Sequence, residues 1–282
     1  MIIDDTNKRI YFRQSWLSTA QRCPEEGRLA IVSPELEVTT DEAIIGTAAH
    51  YAIEQVILGA ADPALIEEAV AHFYSINVEE FRFTKRSSIT EMIELSQRCA
   101  RAWVEDLAPK FDLQDCKTEV KFSVPLFAHR GWDVYIQGTT DLAPACNELV
   151  DWKTSGSDYK QKDKQKWDTQ SAIYALAAVN GGIRDDIDYQ WPVPFRFGVM
   201  IKRVNKCRGQ IVEVQRTQAH GDWAMRRMET WVDVFLDLGL GRSWPMIDEG
   251  NYLCSKRWCS FYDQCRGAHV TTDMDLFGWN PA

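Results

Sequence analysis

Three ionisable residues in the middle of the chain have the types and the spacing of a hydrolytic centre. Asp141 lies in the stretch GTTDL, and Asp151 and Lys153 follow in VDWK. Between them, segment 143–148 contains Pro and Asn and predicts a turn between two antiparallel strands. Asp141 and Asp151 are then expected to face each other near one end of this pair. Lys153 shares a strand face with Asp151, because side chains two residues apart leave a strand on the same side.

Two carboxylates and an ammonium group suit the metal-assisted hydrolysis of a phosphodiester. Asp carboxylates are hard oxygen ligands for Mg²⁺ or Mn²⁺. A bound metal lowers the pKa of water and neutralises charge on the phosphate, and Lys153 could orient that water or stabilise the developing charge. The D-x-K tripeptide alone favours a simpler interpretation, a strand with surface acids and a salt-bridging lysine. The assignment therefore depends on the surrounding residues.

Helical patterns place a histidine before the strand pair and a polar pair after it. A capping box at Thr39–Glu42 precedes a helix that carries His50, whose neutral imidazole could bind Mn²⁺. Gln170 and Tyr174 are four residues apart and share a helix face, so they could hold a scissile phosphate together. The simpler alternatives are a hydrogen-bonded histidine on a half-buried helix and a tyrosine in the core.

These motifs together resemble the PD-(D/E)XK nuclease superfamily. The resemblance rests on GTTDL with VDWK, on GTAAH ending at His50, and on QSAIY from Gln170 to Tyr174. The matches follow the family's order from about Ser15 to Cys265. They point to the RecB-like branch, which includes iron–sulfur CRISPR-adaptation exonucleases and many phage enzymes.

The resemblance implies both a fold and a set of roles. The expected fold is an α/β, restriction-endonuclease-like core, with a central mixed β-sheet flanked by helices. Asp141 and Asp151 would hold Mg²⁺ or Mn²⁺, His50 would add a ligand, and Lys153 would act on the water. Glu119 matches an acidic residue that the family often places on the preceding strand, although many strands carry one glutamate.

The eight cysteines divide into two sets. Cys254, Cys259 and Cys265 cluster near the end of the chain, and Cys23 is the candidate fourth ligand. The set resembles the split 4Fe–4S site of the RecB-like iron–sulfur nucleases, although many of those have two residues, not four, between the first clustered pair. Structural zinc is the alternative, because four thiolates suit either metal. The other cysteines are scattered and are expected to be small buried hydrophobic residues.

Four lysines alternate along the segment that follows Lys153. Lys160, Lys162, Lys164 and Lys166 could guide a phosphate backbone, or they could belong to a solvated loop. The net charge of −9 argues neither for nor against a polyanionic partner, because metal-binding carboxylates make a nuclease acidic before its metal is bound. The abundant aromatic residues could stack on unpaired bases, although most are expected in the core.

The remaining patterns predict one nuclease domain over residues 1–282, with a helical insert at about 60–110. The start of the chain lacks the basic-then-apolar order of a signal peptide, and no apolar run is long enough to cross a bilayer. A cytoplasmic protein is therefore expected (in the host cytoplasm if it is viral).

Further elements are expected as follows: a short helix near Ser15–Pro24, helices beginning at Asp62-Pro63 and at Ser88, a strand at Lys117–Leu126, a helix at Thr169–Ala178, a hairpin from Phe195–Val204 and Gln210–Arg216, and a helix at Trp223–Leu238.

The expected function is that of a metal-dependent DNA exonuclease acting on single-stranded or frayed ends. Its setting would be recombination, repair or DNA processing, with a protein partner in a recombination or CRISPR-adaptation complex. The alternatives are an endonuclease of the same fold, a non-catalytic iron–sulfur subunit that binds DNA ends, and a zinc-stapled interaction module. The intact Asp141, Asp151 and Lys153 set argues against the non-catalytic subunit.

Overall fold

A mixed β-sheet lies at the centre of the computed structural model, which describes residues 1–59, 62–76, 81–203 and 205–266. Seven strands of the described chain form this sheet, and helices cover both of its faces. The strands are β1 (Ile2–Asp4), β2 (Arg9–Arg13), β5 (Lys117–His129), β6 (Trp132–Ala143), β7 (Leu149–Ser155), β8 (Val193–Ile201) and β9 (Arg208–Arg216), and two short strands, β3 (Thr39–Thr40) and β4 (Phe81–Arg82), pair separately. The helices are α1 (Gln14–Arg22), α2 (Pro24–Val32), α3 (Asp41–Leu58), α4 (Leu65–Ile76), α5 (Ile89–Ala102), α6 (Gln161–Lys164), α7 (Thr169–Val179) and α8 (Gln218–Leu238).

Strand β6 is the centre of the sheet, because it pairs with three other strands. It pairs antiparallel with β5 along its whole length, parallel with β2 over 133–137, and antiparallel with β7 through Leu142 and Val150. Strand β7 then pairs parallel with β8, and β8 pairs antiparallel with β9. The sheet is therefore mixed, as expected from the sequence.

Helix starts follow local capping chemistry. The Thr40, Ser88 and Asp168 side chains accept hydrogen bonds from backbone amides in the first turns of α3, α5 and α7. Such side chains satisfy amides that have no partner within the helix. The α3 cap is Thr40, one residue beyond the predicted Thr39.

The apolar residues form two clusters, one on each face of the sheet. Phe195 and Phe197 of β8 belong to the cluster that includes α1, α7 and α8, whereas Met200 belongs to the cluster of α3, α4 and α5. This division follows from the alternation of side chains along a strand. The central strands are thus covered on both faces, and polar side chains there need specific partners.

The structure differs from the expected elements mainly at the N-terminus. The β1–β2 hairpin was not predicted from the sequence, and its pairing with β6 joins segments far apart in the chain. Helices α4 and α5 lie in the segment predicted to be an insert, of which residues 60–61 and 77–80 are outside the described residues. Val204, the predicted end of β8, also lies outside them. In the described parts of the chain, no helix is both long and apolar enough to span a membrane.

Candidate active site

A cleft of about 730 Å³ lies beside the end of β6 that carries Asp141, between α3 and the neighbouring strands. Both signs of charge line it, with four carboxylates beside three lysines and a histidine, and we call it the acidic cleft. Its ionisable lining residues are Glu42, Glu54, Glu119 and Asp141 together with His50, Lys85, Lys153 and Lys202.

The register of β6 and β7 brings the two aspartates together. Leu142 pairs with Val150, so Asp141 and Asp151 are opposite each other one residue further along. Asp141 Oδ2 accepts a hydrogen bond of 2.6 Å from the Trp152 backbone N–H. The carboxylate thus accepts a hydrogen bond that a backbone carbonyl would accept in a regular pair of strands, at the point where β6 and β7 separate.

Asp151 is 1% exposed and is surrounded by polar partners. Lys153 Nζ lies 2.5 Å from its Oδ2, and Gln170 Nε2 donates to its Oδ1 at 2.6 Å and to the Tyr174 hydroxyl at 3.3 Å. Burial raises the pKa of Asp151 to about 6. Burial also opposes the charge on Lys153, but Asp151 and Asp141 outweigh it and raise the pKa of Lys153, which keeps its proton at neutral pH.

Helix α3 brings His50 to the same cluster. Its Nδ1 lies 3.6 Å from Asp141 Oδ2. Burial disfavours the charged imidazole, but the Asp141 carboxylate outweighs burial and raises the pKa of His50. The close approach of α3 depends on Gly46, where an added Cβ would lie 3.2 Å from Thr154 Oγ1 on β7.

Glu119 reaches the acidic cleft through an unusual backbone conformation. Its φ of 47° lies in the left-handed region, which non-glycine residues seldom adopt. On β5, Glu119 lies between Thr118, which pairs with Leu142, and Val120, which pairs with Thr140. Burial, together with the Asp141 carboxylate, raises the pKa of Glu119 to about 7.

Glu54 was not singled out in the sequence, although it lines the same cleft. It lies four residues after His50 on α3, and this spacing on a helix face was the available signal. Burial raises the pKa of Glu54. At the far wall, Lys202 Nζ forms an ion pair of 2.5 Å with Glu42, and the Lys202 side chain is only 7% exposed.

The donor set of the cluster suits a hard divalent cation, and one atom lacks an aligned partner. Asp151 Oδ2 is buried and accepts no hydrogen bond of regular geometry, so its contact is the Lys153 ammonium alone. Within the described ranges, no three His, Cys, Asp or Glu side chains converge closely enough to enclose a metal ion. Protein donors hold the carboxylates of Asp141 and Asp151 instead.

The alternating lysines do not share one environment. Lys160, Lys162 and Lys166 are exposed. Lys164 is different, because its Nζ lies 2.7 Å from Asp168 Oδ2 and over the rings of Tyr159 and Phe197. Lys164 therefore secures the start of α7, and we exclude it from the candidate DNA contacts.

The four cysteines predicted to act together do line one small cavity. Cys23 lies between α1 and α2, and Cys254, Cys259 and Cys265 face it from the last described segment. We call these four residues the cysteine cluster. Burial raises the pKa values of Cys259 and Cys265 to about 11, and Arg266 donates to the Cys254 sulfur.

Contacts away from the sulfurs also hold the end segment against the N-terminal helices. The Glu25 carboxylate accepts from the Trp244 backbone N–H at 2.6 Å, and the Val38 N–H donates to Ser260 Oγ at 3.0 Å. Arg257 donates to the Thr84 carbonyl. The cavity is therefore framed by protein contacts on several sides.

The fold and the site define a nuclease of a known superfamily. The family model of the PD-(D/E)XK nuclease superfamily matches residues 14–266. The chain belongs to this superfamily. A search of curated proteins found no match.

Two solved structures resemble the chain at low identity. One is described as a candidate exonuclease from Eubacterium rectale, with a TM-score of 0.52 and 16% identity over 90% of this chain and 92% of that one. Its likeness supports the fold alone. The other, SSO0001, has a TM-score of 0.42 and 12% identity over 94% of this chain and 89% of that one, too weak a likeness to carry an argument.

Proposed function

We propose that the chain is a metal-dependent deoxyribonuclease that removes nucleotides from single-stranded or frayed DNA ends. The observation that carries this proposal is the convergence of Asp141, Asp151 and Lys153 beside the acidic cleft. Superfamily membership supports phosphodiester hydrolysis. The preference for ends follows from the resemblance of the motifs to RecB-like enzymes, and so does the setting in recombination, repair or DNA processing.

Asp141 and Asp151 would hold Mg²⁺ or Mn²⁺, with His50 as a further ligand. The bound metal supplies charge neutralisation at the phosphate and a water of lowered pKa. The protein prepares both carboxylates, since the Trp152 N–H fixes Asp141 and the Gln170 amide fixes Asp151. The two carboxylates then need little further ordering when the reaction takes place.

Lys153 and Tyr174 act as proton-bearing donors in this proposal. The raised pKa of Lys153 keeps an ammonium next to Asp151, where it can hold the attacking water or a phosphate oxygen. Burial raises the pKa of Tyr174, so its hydroxyl stays protonated and can donate to a phosphate oxygen. Gln170 donates to both Asp151 and the Tyr174 hydroxyl and so connects Tyr174 to the carboxylate, whereas Lys153 contacts Asp151 directly.

We further propose that the cysteine cluster holds a 4Fe–4S cluster. The support is the shared cavity of four thiols together with the family resemblance. Soft thiolates suit iron–sulfur clusters and zinc alike. Anaerobically purified protein should be brown and contain iron and sulfide. Colourless protein with zinc and no iron would show that the site holds structural zinc instead.

Digestion of end-labelled DNA tests the catalytic proposal. Linear and covalently closed circular single strands are incubated with Mn²⁺, with Mg²⁺ and with EDTA. Loss of linear DNA only, and only with metal, is the expected result. If circular strands disappear as fast as linear ones, the protein is an endonuclease. Binding of DNA ends without any cleavage would instead favour the non-catalytic subunit.

A further inference from the structure

A second groove lies on the two strands that carry Glu119 and Asp141. On β5 and β6, Lys121 pairs with Thr139, and Phe122 pairs with Gly138. These four residues line the groove, together with Tyr174 from the catalytic cluster. Thr139 precedes Asp141 by two residues, a distance of about 7 Å along a strand. We call this feature the cationic groove.

The floor of the cationic groove depends on a glycine. A Cβ added to Gly138 would lie 2.8 Å from the Phe122 ring. The Phe122 ring therefore lies directly against β6, and it makes an edge-to-face contact with Tyr174, with ring centroids 5.6 Å apart. The catalytic tyrosine and the groove floor are thus in direct contact.

The charge of this groove differs from that of the acidic cleft, which combines carboxylates with cations. Arg13 and Lys121 line it, and its lining contains no carboxylate. Both cations are exposed, and neither forms an ion pair with any carboxylate in the part of the chain that the structure describes. Most other exposed arginines among the described residues form ion pairs with carboxylates, as Arg130 does with Asp233 and Asp237.

The groove also offers neutral donors that lack acceptors. Helix α1 begins at Gln14, and its N-cap, Arg13, supplies no side-chain acceptor for the first amides of the helix. Gln14 and Ser15 both line the groove. In addition, the Gln137 amide nitrogen is buried and has no hydrogen-bond partner. Two exposed cations and a helix N-terminus form a surface that is complementary to an anion, and the buried Gln137 amide is a further donor in the lining.

We propose that the cationic groove binds a backbone phosphate of the DNA strand, next to the phosphate that is cleaved in the acidic cleft. This inference rests on the proposed function. Phosphate contacts by Arg13 and Lys121 would fix the register of the strand without reading its bases. Tyr174 then separates a subsite for binding from the site of hydrolysis.

The test measures binding without cleavage. Arg13→Gln and Lys121→Gln are combined, and the anisotropy of a labelled single-stranded oligonucleotide is recorded in EDTA over a range of salt concentrations. Affinity at low salt should fall about tenfold, and the slope of log affinity against log salt should decrease by roughly 1.4, because two phosphate contacts are lost. With Mn²⁺ present, KM should rise while kcat stays near the wild-type value.

A charge-matched control separates this subsite from a general effect of charge. Lys110→Gln with Arg242→Gln removes the same charge at two exposed positions that lie outside the acidic cleft and the cationic groove. This control should bind like the wild type. If the groove variant has the affinity and salt slope of the control, the subsite does not exist, while wild-type cleavage would leave the proposed function intact. If the wild type neither binds nor cleaves DNA, both proposals fail.

Discussion

The acidic cleft and the cysteine cluster are both candidate metal sites, but they are held together in different ways. The cleft is formed by neighbouring strands, and its two aspartates accept hydrogen bonds from Trp152 and Gln170. In the cysteine cluster, three of the four sulfurs belong to the last described segment beyond α8, and the fourth belongs to Cys23, which is more than two hundred residues away.

This difference indicates what each site requires from its metal. The sheet prepares the carboxylates in advance, so a metal there serves chemistry more than folding. The cysteines depend on contacts between distant segments, and a bound metal would close a loop from Cys23 to Cys254. We therefore expect catalysis to fail when the first site is altered and stability to fall when the second is altered.

The largest expected effect is on cleavage. Asp151→Ala or Lys153→Ala should reduce the rate by about three orders of magnitude or more, because a metal ligand or the charge-stabilising cation is lost. Single-turnover digestion measures the rate, and anisotropy in EDTA should show that DNA still binds. Asp163→Ala, an exposed acid outside the cleft, is the control. A wild-type rate in Asp151→Ala would overturn the catalytic assignment.

The next effect is on stability and concerns the cysteine cluster. Cys254→Ala should remove the metal and lower the free energy of unfolding by about 3 kcal/mol, because a closure across most of the chain is lost. This corresponds to a decrease in Tm on the order of 10 °C. Cys146, which was expected to be buried, is exposed and lies outside the cluster, so Cys146→Ala should leave Tm and metal content unchanged. An unchanged Tm in Cys254→Ala would show that the protein contacts alone hold the end segment.

A smaller effect on activity is expected at Gln170. Gln170→Ala removes the donor that fixes Asp151, so kcat should fall by roughly 10- to 100-fold while KM changes little. The matched control is Asn180→Ala, at the other end of the helix that carries Gln170. A higher KM with an unchanged kcat would mean that Gln170 contacts the strand and does not position the carboxylate.

The smallest effect is expected at Asp41, a fully buried acid at the start of α3. Burial alone would raise the pKa of Asp41, but hydrogen bonds from Thr84, Lys85 and Arg86 outweigh it and lower this pKa to about 2. The stabilisation by Asp41 should therefore be present above about pH 4, the range of an unfolded aspartate, and be lost as the pH falls towards 2. Asp41→Asn should cost about 1 to 2 kcal/mol near neutral pH.

The pH dependence of unfolding checks this last prediction. Denaturant unfolding of wild type and Asp41→Asn at several pH values should show a difference that narrows as the pH falls below 4. Glu35→Gln, on an exposed turn outside the cleft, serves as the control. A difference that stays constant down to pH 2 would mean that the Asp41 side chain acts through its shape and not through its charge.

The sequence predicted the centre of the molecule better than its edges. The Gly138–Lys153 region has strong local signals, and the mixed α/β sheet that it predicts is confirmed. The parallel pairing of β2 with β6 left no local signal, because the two strands are more than a hundred residues apart. The single-domain organisation and the roles of the site residues stay predictions.

Local patterns could not reveal contacts that depend on tertiary structure. The reach of Glu119 depends on a positive φ, which is unusual for glutamate. Lys164 looked equivalent to its alternating neighbours until the fold placed its Nζ over the Phe197 ring. Glu54, by contrast, had a usable signal in its helical spacing from His50.

The contact between Glu25 and Trp244 has a consequence for how the protein matures during synthesis. Helix α2 leaves the ribosome long before the segment that carries Trp244 is made. Strand β2 must likewise wait for β6 before it can enter the sheet. Early segments are thus left exposed while translation proceeds, and long-range closure of this kind slows folding. The nascent chain would gain this Glu25 contact only after the segment that carries Trp244 has been made.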